Sequence, residues 1–169
     1  MKKDIFALYA EILKYPTDIK KLSEYIFDLG IDESGGIKGY SLQRLQEIYV
    51  ETFDFNEKTA LFLSQHTAET TEEKSRIILA MAELLSEYKI LKTRNAQPDY
   101  LPDILKAFRA ILETNDDKDA ERYLADILFE TVRKIAEELK CSDNIYAEIM
   151  KHLQGDLASF TSNREVTYV

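Results

Sequence analysis

The 169-residue sequence has a single cysteine, Cys141, no tryptophan, three prolines, five glycines and only two histidines. One thiol excludes an intramolecular disulfide and any multi-cysteine zinc or iron–sulfur site, and it suits a reducing compartment, so a cytoplasmic location is expected. Positive charge is also scarce. There are 22 Lys and Arg against 31 Asp and Glu, a net charge of -9. That balance disfavours any function resting on phosphate neutralisation by a broad basic surface, so nucleic acid is not an expected partner and a basic or amphipathic peptide is better matched. No stretch approaches the roughly 20 apolar residues of a membrane-spanning helix, and direct membrane insertion is not expected. The start, MKKDIFALYAEILKYP, is broken by Glu11 and Lys14 and is followed by no small-residue cleavage site, so it reads as a first helix.

What is present is hydrophobic residue content of 45%, too high for a disordered chain and enough for one soluble domain. Apolar positions recur at spacings of three and four with little period-two alternation, which predicts an all-α single-domain bundle of about seven helices over residues 1–160 and a loose tail over 161–169. The first helix runs from about Lys3 to Tyr15 and stops before Pro16. Thr17 is placed to cap a second helix carrying Ile19, Leu22, Ile26, Phe27 and Leu29, which ends at Gly30. A loop through Gly35, Gly36 and Gly39 follows, and Ser41 caps a third helix with Leu42, Leu45, Ile48, Tyr49 and Thr52 inward. Thr70 and Glu73 have capping-box spacing at the head of a long helix. Pro98 and Pro102 bracket the start of a fifth. Tyr123, Leu124, Ile127, Leu128, Thr131, Val132, Ile135 and Leu139 form the face of a sixth, and Ser142 begins the last.

Catalytic chemistry is poorly supplied, and neither catalytic residues nor a cofactor site is expected. His66 and Glu69 lie three apart, and Glu148 and His152 four apart. A carboxylate-bridged di-metal bundle instead needs two Glu-x-x-His motifs on separate helices, and none exists here. No metal site is expected, with His66 read as a packing or hydrogen-bonding residue and His152 as a surface one. The glycines at 35, 36 and 39 lack the preceding strand and following Lys-Ser or Lys-Thr of a phosphate-binding loop. Cys141 has no histidine nearby in sequence to activate it as a nucleophile. The acidic clusters, among them Glu69, Glu72 and Glu73, read mostly as solvated helix starts favoured by the helix dipole.

Two motifs stand apart from this helical background: YVETFDF at residues 49–55, continuing as NEKTALFLSQH to His66, and PDYLP at 98–102. Their order and separation, with the early FALYAEILKYP segment, resemble the NarJ-like family, the nitrate reductase delta subunit or TorD-like molybdoenzyme assembly chaperones. The resemblance covers about two thirds of the chain. It implies a cytoplasmic, all-helical chaperone that is not an enzyme and that binds the N-terminal leader of a molybdenum oxidoreductase catalytic subunit, holding it for cofactor insertion. A homodimer stays open.

The expected contact is an amphipathic helix laid in an apolar groove with carboxylates on its rim. The candidate groove residues are Tyr49, Phe53, Asp54, Phe55, His66, Asp99 and Tyr100. A second reading of the same residues stays open, in which Tyr49, Phe53 and Tyr100 are core and Asp54 and Asp99 cap turns. The chain departs from the family after His66, where Glu69, Thr70, Glu72, Glu73 and Lys74 stand in place of a Gly-Asp and arginine-rich stretch, and at Lys106 and Ala107 in place of Glu-Phe. Those departures point to a divergent member with a different molybdenum or tungsten client. The alternative function is a helical regulatory module without a reductase client.

Overall fold

A computed structural model describes residues 4–31, 37, 39–93 and 95–162. Lys3, Gly35, Gly36 and residues 163–169 of the tail, on which some of the expectations above fall, lie outside the described residues. Within them the chain forms α1 (Ile5–Ile12), α2 (Ile19–Asp28), α3 (Leu42–Tyr49), a π-helical turn (Val50–Asp54), α4 (Leu63–Thr67), α5 (Thr71–Glu87), α6 (Leu101–Thr114), α7 (Lys118–Leu139) and α8 (Ile145–Ala158). The fold is all-α. Helix α7 packs along α8 and α1 along α6, with α2, α4 and α5 against their flanks.

Periodicity explains the paired helices α7 and α8. In α7, Leu124, Leu128, Thr131, Val132, Ile135 and Leu139 recur every three or four residues and are all buried; in α8, Ile145, Ile149, Met150, Leu153 and Leu157 do the same. Each fully buried Leu, Ile or Phe stabilises the fold by ~1.5–3 kcal/mol relative to an exposed one. At the far end of α1 and α8, Phe6 meets Phe108 and Phe160 edge to face, with ring centroids 5.0 and 5.7 Å apart. Not every apolar residue of the expected stripes turns inward. Phe27 of α2 is 75% exposed and Tyr123 of α7 is 54% exposed, because each lies about 100° around the helix from its buried neighbour.

The helix ends follow from local hydrogen bonding. Ser41 caps α3 by accepting from Arg44 N, and Thr70 and Glu73 form both halves of a capping box on α5. Gly30 takes φ +70, the left-handed conformation that ends α2. Two caps differ from expectation. Asp18, not Thr17, accepts from Lys20 N and Lys21 N, and Asn144, not Ser142, accepts from Tyr146 N and Ala147 N. Each displaced candidate lies one or two residues before a better acceptor. Helix α1 stops at Ile12 instead of Tyr15, and Lys14 N turns to Glu11 O at 3.4 Å, so the chain is already leaving the helix before Pro16. Counting the short α4, there are eight α-helices among the described residues, one more than the pattern suggested.

The two singled-out motifs meet at an isolated antiparallel bridge between Phe62 and Tyr100. Leu63 N donates to Asp99 O at 3.0 Å and Leu101 N to Leu61 O at 2.8 Å. No helix among the described residues is long and apolar enough to cross a membrane.

Candidate functional site

Helix α3 does not simply end at Tyr49. It passes into the π turn, closed by Phe55 N donating to Val50 O at 3.2 Å. Such a turn inserts residues into the helical ladder and changes which way the following side chains point. Phe53 turns into the core at 3% exposure, while Phe55 projects into solvent at 84%. The widened turn leaves carbonyls to be satisfied by side chains. Thr52 Oγ1 donates to Ile48 O at 2.6 Å, and the buried Thr59 hydroxyl donates to Thr52 O. Asn144, the cap of α8, adds a bond from Nδ2 to Thr52 Oγ1 at 3.2 Å.

Beneath this turn lies an aromatic cluster assembled from four parts of the chain. Tyr49 meets Tyr15, Phe53 and Tyr146 edge to face at 5.6, 5.1 and 5.7 Å, and Phe53 meets Tyr146 at 4.9 Å. Such pairs contribute ~0.5–1.5 kcal/mol each beyond the area they bury. The Tyr49 hydroxyl donates to Leu13 O at 2.9 Å, a carbonyl freed by the end of α1, and with that proton committed the Tyr100 hydroxyl donates to Tyr49 at 3.0 Å. Burial raises all three phenols, Tyr49, Tyr100 and Tyr146, above the ordinary tyrosine range, so they act as neutral donors and acceptors. The Tyr146 hydroxyl is buried with no partner among the described residues.

Above the cluster is an open depression of about 380 Å³ whose walls include Tyr15, Gln46, Glu47, Val50, Glu51 and Phe55. Tyr15, half-exposed at 48%, and Phe55 supply its apolar surface. Glu47 and Glu51 supply carboxylates, both within reach of Arg44 at 3.2 and 4.0 Å. Asp54 also faces solvent, and partial burial against its surroundings raises its carboxyl.

The seven residues singled out in the sequence thus fall into three groups. Tyr49, Phe53 and Tyr100 converge in the buried cluster. Asp54 and Phe55 stand on the surface beside it. Asp99 and His66 sit by α4. Asp99 is fully buried, its Oδ2 accepting from Ser64 N at 2.9 Å, which caps α4 from a distant part of the chain. Its Oδ1 has no partner among the described residues. The neighbouring carboxylate Asp103, also fully buried, clamps the preceding loop by accepting from Thr93 N at 2.7 Å and Thr93 Oγ1 at 2.6 Å.

His66 is buried, with Nε2 donating to Ala60 O at 2.6 Å, and its own carbonyl accepts from Lys134 Nζ at 2.5 Å. Burial lowers its pKa, only partly offset by the Ala60 bond, and Lys134 lowers it further. His152 is exposed. No group of three or more His, Cys, Asp or Glu that could hold a metal ion occurs among the described residues.

Tyr15, Tyr146, Glu47 and Glu51 belong to the site but were not singled out. The i, i+4 pair Glu47 and Glu51 on one helix face was a readable signal for two of them. Tyr15 and Tyr146 join the cluster only through contacts remote in sequence, Tyr15 with Tyr49 and Tyr146 with Tyr49 and Phe53. The arrangement sets exposed aromatic side chains over a hydrogen-bonded floor with carboxylates around them.

Comparison with known proteins agrees with the motif resemblance. A NarJ of Bacillus subtilis (strain 168), named as a probable nitrate reductase molybdenum cofactor assembly chaperone, is 33% identical over 112 residues, 66% of this chain and 58% of the relative. The aligned stretch therefore spans little more than half of that relative's length. The sequence model described as nitrate reductase delta subunit matches residues 14–142, a span that contains both motifs, the π turn and most of the aromatic cluster. The chain belongs to this NarJ-like family of nitrate reductase delta subunits.

Proposed function

We propose that the protein is a cytoplasmic assembly chaperone for a nitrate reductase-like molybdenum oxidoreductase. It binds the N-terminal segment of the catalytic subunit and holds it while the molybdenum cofactor is inserted. The family membership and the name of the Bacillus relative support the chaperone role. The observation that carries the binding mode is Phe55, a large aromatic side chain 84% exposed at the edge of an aromatic-walled depression with carboxylates around it.

In this reading the partner is an amphipathic segment. Its apolar anchors pack on Phe55 and Tyr15, and its basic residues meet Glu47, Glu51 and Asp54. Tyr49, Phe53 and Tyr100 do not touch the segment; they form the floor that keeps Phe55 displayed. The net charge of -9 favours encounter with a basic segment.

The test is calorimetric titration of the protein with the N-terminal peptide of the reductase catalytic subunit from the same organism, at low and high salt. Saturable binding that weakens with salt and with Phe55→Ala is the expected result. Absence of binding at either salt concentration sinks the mechanism and leaves the regulatory-module alternative.

A further inference from the structure

Helix α5 ends in a turn that displays a leucine. Lys89 takes φ 54; its N–H donates to Ser86 O at 3.2 Å, and the N–H of Ile90 donates to Leu85 O at 2.9 Å. These are the two bonds of a left-handed helix end, where the turning residue is usually glycine or asparagine. Lysine there keeps a cation at a position the turn alone would give to glycine. Leu91 follows at 89% exposure, the most exposed large hydrophobic side chain among the described residues. Beyond it, Asp103 pins Thr93 through both its N–H and its hydroxyl. The leucine is thus held out on a loop fixed at both ends, between the exposed Lys89 and Lys92. Negative charge is also near: Glu87 is exposed at the end of α5, and the Asp103 carboxylate is buried behind the loop. On the solvent side, two lysines still face one carboxylate over residues 87–93.

This chemistry is the counterpart of the depression beside the π turn. There the exposed rings of Tyr15 and Phe55 stand with Glu47 and Glu51, and Asp54 lies alongside. Arg44, within reach of Glu47 and Glu51, offsets one of those three negative charges and leaves a surplus. The depression, at about 380 Å³, has room for an aliphatic side chain. The remaining exposed apolar side chains do not match it. Phe27, Leu79 and Tyr123 each have a carboxylate one helical turn away, at Glu24, Glu83 and Asp126.

We propose that the loop 89–92 of one copy of this chain docks in the Tyr15–Phe55 depression of another. Leu91 packs against the two rings, and the flanking lysines meet Glu47, Glu51 and Asp54. The inference rests on the reading of that depression as a binding surface. The contact runs loop to depression, so every copy carries both halves of it. It covers Phe55 when no client segment is bound, and a client of the same apolar and basic chemistry displaces it. Self-association thereby sets the affinity a client must exceed.

The test is sedimentation velocity on the full chain over a concentration series at low and high salt. The wild-type chain is expected to associate at low salt and several-fold more weakly at high salt. Leu91→Asp and Phe55→Ala alter solvent-exposed side chains, so helical circular dichroism should be unchanged, and each should weaken association tenfold or more. An equimolar mixture of the two variants retains one intact loop and one intact depression, and it should recover association as a one-to-one complex. A wild-type chain that is monomeric at every concentration, or that associates equally well in either variant, overturns the proposal. Failure of the mixture to recover overturns the loop-to-depression pairing. Titration of the monomeric Leu91→Asp variant with the N-terminal peptide of the reductase catalytic subunit separates this inference from the client reading. Absence of peptide binding with wild-type association intact fails the client reading alone, and peptide binding with a monomeric wild type fails this one alone.

Discussion

The Tyr49 hydroxyl donates to the Leu13 carbonyl across 36 residues of sequence, tying the end of α1 to the end of α3 at the floor of the candidate site. Tyr49→Phe keeps the ring and its edge contacts but strands this carbonyl, for which Tyr100 is a poor substitute at 3.5 Å. Leaving a buried group unpaired costs about 1–3 kcal/mol. Urea unfolding should show a loss of that size, with the helical circular dichroism of the folded state unchanged. Tyr49→Ala also removes the ring and should cost more, about 3–5 kcal/mol.

Phe55 is the converse case. Its side chain is almost wholly in solvent, so Phe55→Ala should change stability by no more than ~0.5 kcal/mol. If Phe55 anchors the bound segment, the same substitution should weaken peptide binding by about 2 kcal/mol or more, as truncation of an aromatic anchor does. Asp54→Asn should weaken binding less, and its effect should shrink at high salt, because an exposed charge is screened. Calorimetry and unfolding measured on the same variants separate the two effects. Loss of stability in Phe55→Ala would show that Phe55 belongs to the core.

His66 gives a pH dependence with a defined sign. Its folded pKa lies below the ordinary histidine value of about 6.5 because burial penalises the charged ring. Between those two values the unfolded chain binds more protons than the folded one, so stability is fully present above about pH 6.5 and declines as pH falls through that value. The urea midpoint should therefore drop between pH 7.5 and 5.5, a range chosen to stay above most carboxylate titration. The drop should flatten in His66→Gln but persist in His152→Gln, since His152 is exposed. An unchanged slope in His66→Gln would remove His66 as its source.

The helices were legible because burial repeats along them. The faces of α7 and α8 read directly from spacings of three and four, and the Thr70–Glu73 capping box is a local pattern that local physics completes. Helix α4 was not legible. Five residues are too few for a periodic stripe, and Asp99, the group that caps it, lies 35 residues away. For the same reason Tyr15 and Tyr146 escaped notice: α1 and α8 bring them to Tyr49, and nothing in their own neighbourhoods marks them. The motifs around Tyr49 and Pro98 were visible as motifs, but which of their residues face solvent depends on the π turn, and no spacing rule anticipates an inserted turn.

That turn leads to the last prediction, because the display of Phe55 depends on it. A π turn opens the ladder, and its carbonyls persist in a buried setting only if other donors reach them. Here Thr59, fully buried, supplies the hydroxyl for Thr52 O. Thr59→Val preserves shape but removes that donor, and should cost about 1–3 kcal/mol. The loss should be local before it is global. Amide hydrogen exchange at Phe53, Asp54 and Phe55 should accelerate more than at Leu128 or Val132 in α7. If Phe55 binds the client segment, affinity should fall with it although no contact residue has changed. Thr59→Ser retains the hydroxyl and should restore both exchange protection and binding. If it restores neither, the methyl packing of Thr59, and not its bond to Thr52, is what holds the turn.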